Sequence, residues 1–207
     1  MNNPNLHNIT IGHCNIQGGI KGIAKSTQIH QLIRDNSLDI LSLNETNLND
    51  TIDTDSLNIP PNYEFKRSDR CTGSRGGCGM IISNQCAYTP VSMKTDVGNI
   101  EAYWIKLCSI NIYVCGFYRS IGYCKLDNFI EYFTICMKKL KGKKVIWIGD
   151  INIDQNKIND SEYRNFDSTL KSFSMVQTIQ NYTRTVKRGN KITRSTIDRC
   201  YYYQLLF

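Results

Sequence analysis

Residues Val145 to Asn152 read V-I-W-I-G-D-I-N, an apolar run that breaks at Gly149-Asp150. Four consecutive bulky apolar residues stopped by a glycine and an acid predict a strand buried on both faces, with polar groups presented at its end. The same pattern occurs twice more. Asp39 to Leu43 (D-I-L-S-L) runs into Asn44-Glu45-Thr46, and a strand over Ile9 to Ile16 carries Cys14-Asn15-Ile16-Gln17-Gly18. A lone Asp or Asn after a strand is ordinarily a turn former or helix cap. Three clusters at three apolar strand ends instead suggest side chains converging on one pocket that a rigid sheet holds in place.

Around these strands the periodicity changes. Lys25 to Arg34 is predicted helical, with Ile29, Leu32 and Ile33 recurring at i, i+3, i+4. Lys125 to Leu140 is the clearest helix: Leu126, Phe129, Ile130, Phe133, Met137 and Leu140 form one stripe, Lys138, Lys139 and Lys141 fall in the last turn, and Gly142 stops it. A third helix is expected over Ser161 to Phe173. Met80 to Ser83, Glu101 to Leu107 and Ile110 to Phe117 read as strands, Cys71 to Gly79 as a glycine-rich turn, and Ser195 to Tyr203 as a final hairpin strand. Several strands follow one another too closely for helical crossovers, so the expected architecture is an α/β layered sandwich with mixed sheets.

Composition sets the frame. The 207 residues fit one domain; 41% hydrophobic and 21% charged residues are globular values, which argue against a disordered or fibrous chain. No apolar run reaches the roughly 18 residues of a membrane span, and the first residues lack the features of a secretion signal. A soluble intracellular domain with no membrane partner is expected. Twenty-five Lys+Arg against eighteen Asp+Glu give +7, which favours polyanionic partners. The nine cysteines contain no C-x-x-C pair, so reduced structural thiols are expected rather than a zinc site.

The three clusters also suit a hard divalent cation, since Mg²⁺ takes one or two carboxylates together with water and substrate phosphate. Glu45 is the candidate ligand, with Asn15 orienting it or adding a carbonyl oxygen. Asp150 and Asn152, two apart, would share a side if extended. Gly116-Phe117-Tyr118-Arg119 adds a Tyr and an Arg at another strand end, and Ser195-Thr196-Ile197-Asp198 a late acid.

Taken in order, C-N-I-Q-G (Cys14 to Gly18), L-N-E-T-N (Leu43 to Asn47), R-G-G-C-G-M (Arg75 to Met80), G-F-Y-R (Gly116 to Arg119), I-G-D-I-N (Ile148 to Asn152), T-R (Thr183, Arg184) and S-T-I-D (Ser195 to Asp198) resemble the endonuclease/exonuclease/phosphatase superfamily. The likeness is greatest to the endonuclease domain of non-LTR retrotransposons and extends from about Asn8 to Tyr203. It implies a DNase I-like four-layer α/β/β/α sandwich of two mixed, mainly antiparallel sheets. It also implies Mg²⁺ (or Mn²⁺) held at Glu45 with Asn15 in support, and no small-molecule cofactor. Asp150 would activate the water, Asn152 and Tyr118 would contact the scissile phosphate, and Asp198 would pair with a catalytic histidine. The expected substrate is double-stranded DNA, with a reverse transcriptase domain of a parent element as partner and the nucleus as location. In the family that histidine comes in a Ser-Asp-His motif on a further strand, whereas this sequence ends nine positions after Asp198, with histidines at 7, 13 and 30 alone. The expectation is therefore a single domain, 1–207, lacking the Ser-Asp-His segment and its strand, with a rate lowered by about 10²- to 10⁴-fold. His13 would share the side of Asn15, but the resemblance gives it no role; all three histidines read as structural.

Arg184 to Arg194 (R-T-V-K-R-G-N-K-I-T-R) holds Arg184, Lys187, Arg188, Lys191 and Arg194 and no acid, +5 of the total +7. Gly189-Asn190 suits a two-residue hairpin turn. A solvated basic hairpin is the simplest reading. Beside a phosphodiesterase site it becomes a DNA contact, joined by Thr183 and by Arg119. Three functions stay open on these residues: a Mg²⁺-dependent nicking endonuclease, an inert remnant that only binds nucleic acid, and a phosphatase of the same fold acting on a small molecule.

Overall fold

The computed structural model describes residues 8–73, 75–188 and 191–203. The first sheet begins with β1 (Ile11–Asn15), crosses through α1 (Ile23–Asp35) and returns as β2 (Ile40–Asn44), parallel to β1. β3 (Tyr63–Ser68) and β4 (Cys78–Ser83) then complete the order β1-β2-β4-β3. β4 therefore starts within the stretch read as a glycine-rich turn. The second sheet takes β5 (Tyr88–Pro90), β6 (Glu101–Leu107), β7 (Ile112–Tyr118), β8 (Lys144–Asp150) and β9 (Met175–Gln177), with α2 (Leu126–Lys139) between β7 and β8 and α3 (Ser161–Ser172) between β8 and β9. A separate hairpin, β10 (Arg184–Arg188) and β11 (Lys191–Ser195), precedes β12 (Asp198–Tyr203), which inserts into the second sheet to give the order β5-β6-β7-β8-β12-β9. Each sheet has one parallel pair and is otherwise antiparallel.

The layering follows from the two-residue alternation of strand side chains. In β2, Leu41 and Leu43 pack outward against Ile29 and Ile33 of α1, while Ile40 faces inward to join Met80, Ile82, Ile105, Val114 and Ile148 between the sheets. On the far face of the second sheet, Trp147 of β8 is the hub. Trp104 meets it edge-on at 4.8 Å, and Phe129 and Phe133 of α2 and Phe166 of α3 close around it. Burying each such ring contributes about 1.5–3 kcal/mol. The result is an α/β/β/α sandwich, α1 on one side and α2 with α3 on the other. All nine cysteines are free thiols, four of them buried. Among the described residues no helix is long and apolar enough to cross a membrane.

Register brings the strand ends together. Tyr118 pairs with Asp150 across β7 and β8, and Asp150 with Asp198 across β8 and β12, so the three lie in one row. In the facing sheet Asn15 pairs with Asn44, immediately before Glu45. Gly149 is needed for this row, because a Cβ there would collide with the Phe117 carbonyl. The two sheets are also tied directly at this end by Asn44 Nδ2, which donates to the Phe117 carbonyl at 2.7 Å.

Candidate active site

Glu45 sits just past β2 in the left-handed region, φ 59°, a conformation that side chains other than Gly, Asn and Asp rarely adopt. Its neighbours hold it there. Thr46 N–H donates to the Gly77 carbonyl, Asn47 N–H to the Gly76 carbonyl at 2.7 Å, and Gly76 N–H returns a bond to Asn47 Oδ1. A Cβ on Gly77 would come within 2.5 Å of Thr46 Oγ1, so the two loops fit only with glycine at that position. The half-buried carboxylate is thereby aimed at the row on the other sheet. Its Oε1 accepts from Tyr118 Oη and from Asn15 Nδ2, each at 3.0 Å.

Asn15 also donates to Asp150 Oδ2 at 3.1 Å, and its Oδ1 accepts from Gln17 N–H. Both amide hydrogens thus go to carboxylates. Asn15 bridges the sheets and orients Glu45, and its Oδ1 carries one N–H bond. Burial first, and the Asp198 charge next, push the Asp150 carboxyl up to about 6, against the pull of Asn152 N–H, Asn15 and His13. Burial and the Glu45 carboxylate raise Tyr118 as well, keeping it a neutral phenol that donates.

Asn152 departs from the extended geometry expected of it. β8 ends at Asp150, and Asn152 turns to φ 56°, its N–H on Asp150 Oδ1 at 2.7 Å and its Nδ2 on the Arg119 carbonyl at 2.8 Å. Its side chain also hydrogen-bonds Tyr118, which lowers the phenol's pKa against burial. Arg119 is corrected outright as a phosphate contact: it is 1% exposed, with Nε donating to the Cys124 carbonyl, Nη1 to the Ile151 carbonyl and Nη2 to Glu162. Three of its five N–H groups are committed inside the protein, and burial shields the rest. Arg199, which the sequence does not single out, does the same from β12, donating to the Ile153 carbonyl and to Gln155. Two buried cations therefore pin the loop that carries Asn152. No local pattern marks either arginine as internal.

His13, read from the sequence as structural, also lies at this site. Its Nε2 lies 3.1 Å from Asp198 Oδ1, joining β1 to β12. The two-residue offset from Asn15 was the only available signal. Burial would raise the Asp198 carboxyl, but hydrogen bonds from His13 and Thr183 outweigh it and hold the group below its ordinary value. Thr183 also accepts the backbone N–H groups of Ile197 and Asp198, so it shapes the strand start. A cleft of about 840 Å³ runs from Asn15, Glu45 and Asp150 past Asp198 to Thr183 and Arg184 at the hairpin base. Arg194 is exposed and lies over the Tyr182 ring. The side chains of Lys187, Arg188 and Lys191, and the expected turn at 189–190, lie outside the described residues.

The site suits a hard, largely hydrated cation. Glu45 has one oxygen committed to Tyr118 and Asn15 and the other without a recorded partner. Among the described residues no group of three or more His, Cys, Asp or Glu is placed to hold a metal ion of any kind. Mg²⁺, which needs only one or two carboxylates, fits this donor set.

A family model described as "Endonuclease/Exonuclease/phosphatase family" matches residues 12–207. No curated protein sequence matches the chain. Solved structures share the fold. The endonuclease domain of TRAS1, a telomere-specific non-LTR retrotransposon, superposes with a TM-score of 0.70 at 15% identity, over 91% of this chain and 82% of that one. The AP endonuclease LMAP from Leishmania major gives 0.68 at 14%, over 93% and 77%. The mannosyl-6-phosphatase Bt3783 from Bacteroides thetaiotaomicron gives 0.58 at 15%, over 95% and 86%. At such identities the likeness speaks for the fold.

Proposed function

Because the chain belongs to the endonuclease/exonuclease/phosphatase family, we propose that it is a Mg²⁺-dependent phosphodiesterase that nicks double-stranded DNA, of the non-LTR retrotransposon type. The observation that carries this reading is the network in which Asn15 bridges Glu45 and Asp150 while Tyr118 donates to Glu45, at the floor of a cleft that opens toward the basic hairpin.

Glu45 would hold the ion, whose chemistry is to polarise a phosphoryl oxygen and offset developing negative charge. The remaining work belongs to the chain. Asp150, with a carboxyl near 6, is ionised at neutral pH yet basic enough to take a proton from an attacking water. Asn15 fixes the distance between that base and Glu45. Tyr118 stays protonated with its O–H on Glu45 Oε1, and Asn152 hydrogen-bonds it; an arriving phosphate would draw both donors to itself. Arg184 and the hairpin cations would track the DNA backbone. A reverse transcriptase domain in the same parent element, and a nuclear location, accompany this reading.

The test is nicking of supercoiled plasmid with Mg²⁺, with and without EDTA. Relaxed circles that form only in the metal sample support it, and none in either sample overturns it. A sugar-phosphate substrate is the second reading, favoured by the fold it shares with the mannosyl-6-phosphatase. A small phosphate needs no extended arm of charge +5, which weighs toward DNA.

The hairpin makes a separate prediction. Lys187→Glu, Arg188→Glu and Lys191→Glu together should weaken duplex binding at least about tenfold at low salt and flatten the slope of log K against log salt by about 2 to 3. Fluorescence anisotropy across a salt series reads both; an unchanged slope would mark the hairpin as a solvated face.

A further inference from the structure

His13 and Asp198 stand 185 positions apart, on opposite sheets, with side chains only 5% and 15% exposed. They share the cleft wall with Glu45 and Asp150. Three carboxylates therefore face a cavity that is to accept a phosphate, itself an anion. A cation at Glu45 would offset one end. At the other end, the side chains that reach Asp198 are His13 and Thr183. The geometry points to His13 as a positioning residue of the active site: its Nε2–H fixes and partly masks the Asp198 carboxylate, so that the phosphate can settle next to it. This rests on the nuclease reading above.

A second observation separates this from a mere joint between sheets. His13 Nδ1 is buried with no hydrogen-bond partner. An unpaired buried nitrogen costs about 1–3 kcal/mol, so a residue whose only task was to hold β1 to β12 would be better served by a side chain without it. The imidazole is suited to reaching Asp198 from β1 with a rigid, ring-fixed donor.

The test uses the full chain in the Mg²⁺ plasmid assay, with kcat, KM and melting temperature measured for each variant. His13→Phe keeps a ring and removes the donor, and is expected to lower kcat about 100-fold with KM changed less than about threefold. His13→Gln, which can still donate to Asp198, should recover about tenfold of that loss. Adding Asp198→Asn to His13→Phe removes the unmasked charge and should make the double variant faster than His13→Phe alone. Melting temperatures that fall while kcat holds would reduce the pair to a structural joint and overturn the inference. If His13→Phe does not fold, His13→Leu, which also removes the donor, decides by the same readouts: reduced kcat at an unchanged melting temperature supports, and wild-type kcat overturns. A wild-type chain that shows no Mg²⁺-dependent nicking overturns the nuclease reading and this inference together. Nicking by the wild type with His13→Phe equally fast overturns the inference alone.

Discussion

Glu45→Ala should lower Mg²⁺-dependent nicking by about 10³-fold or more while the two sheets stay folded. The carboxylate lines the cleft and keeps one oxygen without an internal hydrogen bond. On the proposed role, removing it would take away the hard ligand, and with it the charge compensation a bound ion would give at the phosphoryl oxygen, usually the largest contribution in such reactions. The structural loss is small by comparison. Tyr118 Oη and Asn15 Nδ2 lose an acceptor at a cleft that water can enter, and Ala inherits the same left-handed backbone. Binding offers an independent check. Mg²⁺ should raise the melting temperature of the wild type in proportion to RT ln(1 + [Mg²⁺]/Kd) and leave the variant unmoved. Cleavage by Glu45→Ala within tenfold of the wild type would refute the metal role.

Asp150→Asn should act in opposite directions on rate and stability. The base is lost, so turnover should fall by about 10²- to 10⁴-fold. Yet the carboxyl is raised from its ordinary 3.8 to about 6 by burial and by Asp198. A raised carboxyl binds its proton more tightly in the folded chain than in the unfolded one. Its favourable contribution is therefore complete below about pH 4 and is lost as pH rises through about 6. By pH 7 the ionised group costs about 3 kcal/mol relative to that limit. An amide at 150 avoids this cost but keeps one acceptor oxygen, so its NH2 faces either Asn15 Nδ2 or Asn152 N–H, and a net gain of only about 1 kcal/mol is expected in metal-free buffer. Urea unfolding at pH 7.5 and at pH 4 measures it. The variant should be the more stable chain at pH 7.5, with the gap closing at pH 4. A variant less stable at pH 7.5 would show that the hydrogen bonds of Asp150 outweigh its burial.

Local pattern determined much of this molecule. V-I-W-I-G-D and D-I-L-S-L are legible as buried strands because a residue covered on both faces must be apolar whatever lies beyond it, and the stripe from Leu126 to Met137 is legible because a helix repeats its buried face every three to four residues. The short strands Tyr88–Pro90 and Met175–Gln177 are not legible, since three residues carry no period and exist as strands only through their partners. Strand ends were likewise legible as places where acids and amides gather, and the structure does bring Asn15, Glu45, Asp150 and Asp198 to one cleft, with Tyr118 bonded to Glu45.

What each polar side chain does there was decided by the tertiary structure. Arg119 at a strand end looks like a phosphate contact until the carbonyls of Cys124 and Ile151 enclose it. Asn152 looks extended until its own N–H turns back to Asp150. His13 looks idle until β12, at the far end of the chain, brings Asp198 to its ring. Apolar burial is non-directional and leaves its mark residue by residue along the sequence, whereas a hydrogen bond depends on where two particular atoms meet, and strands distant in sequence set that meeting point only once the sheets have stacked.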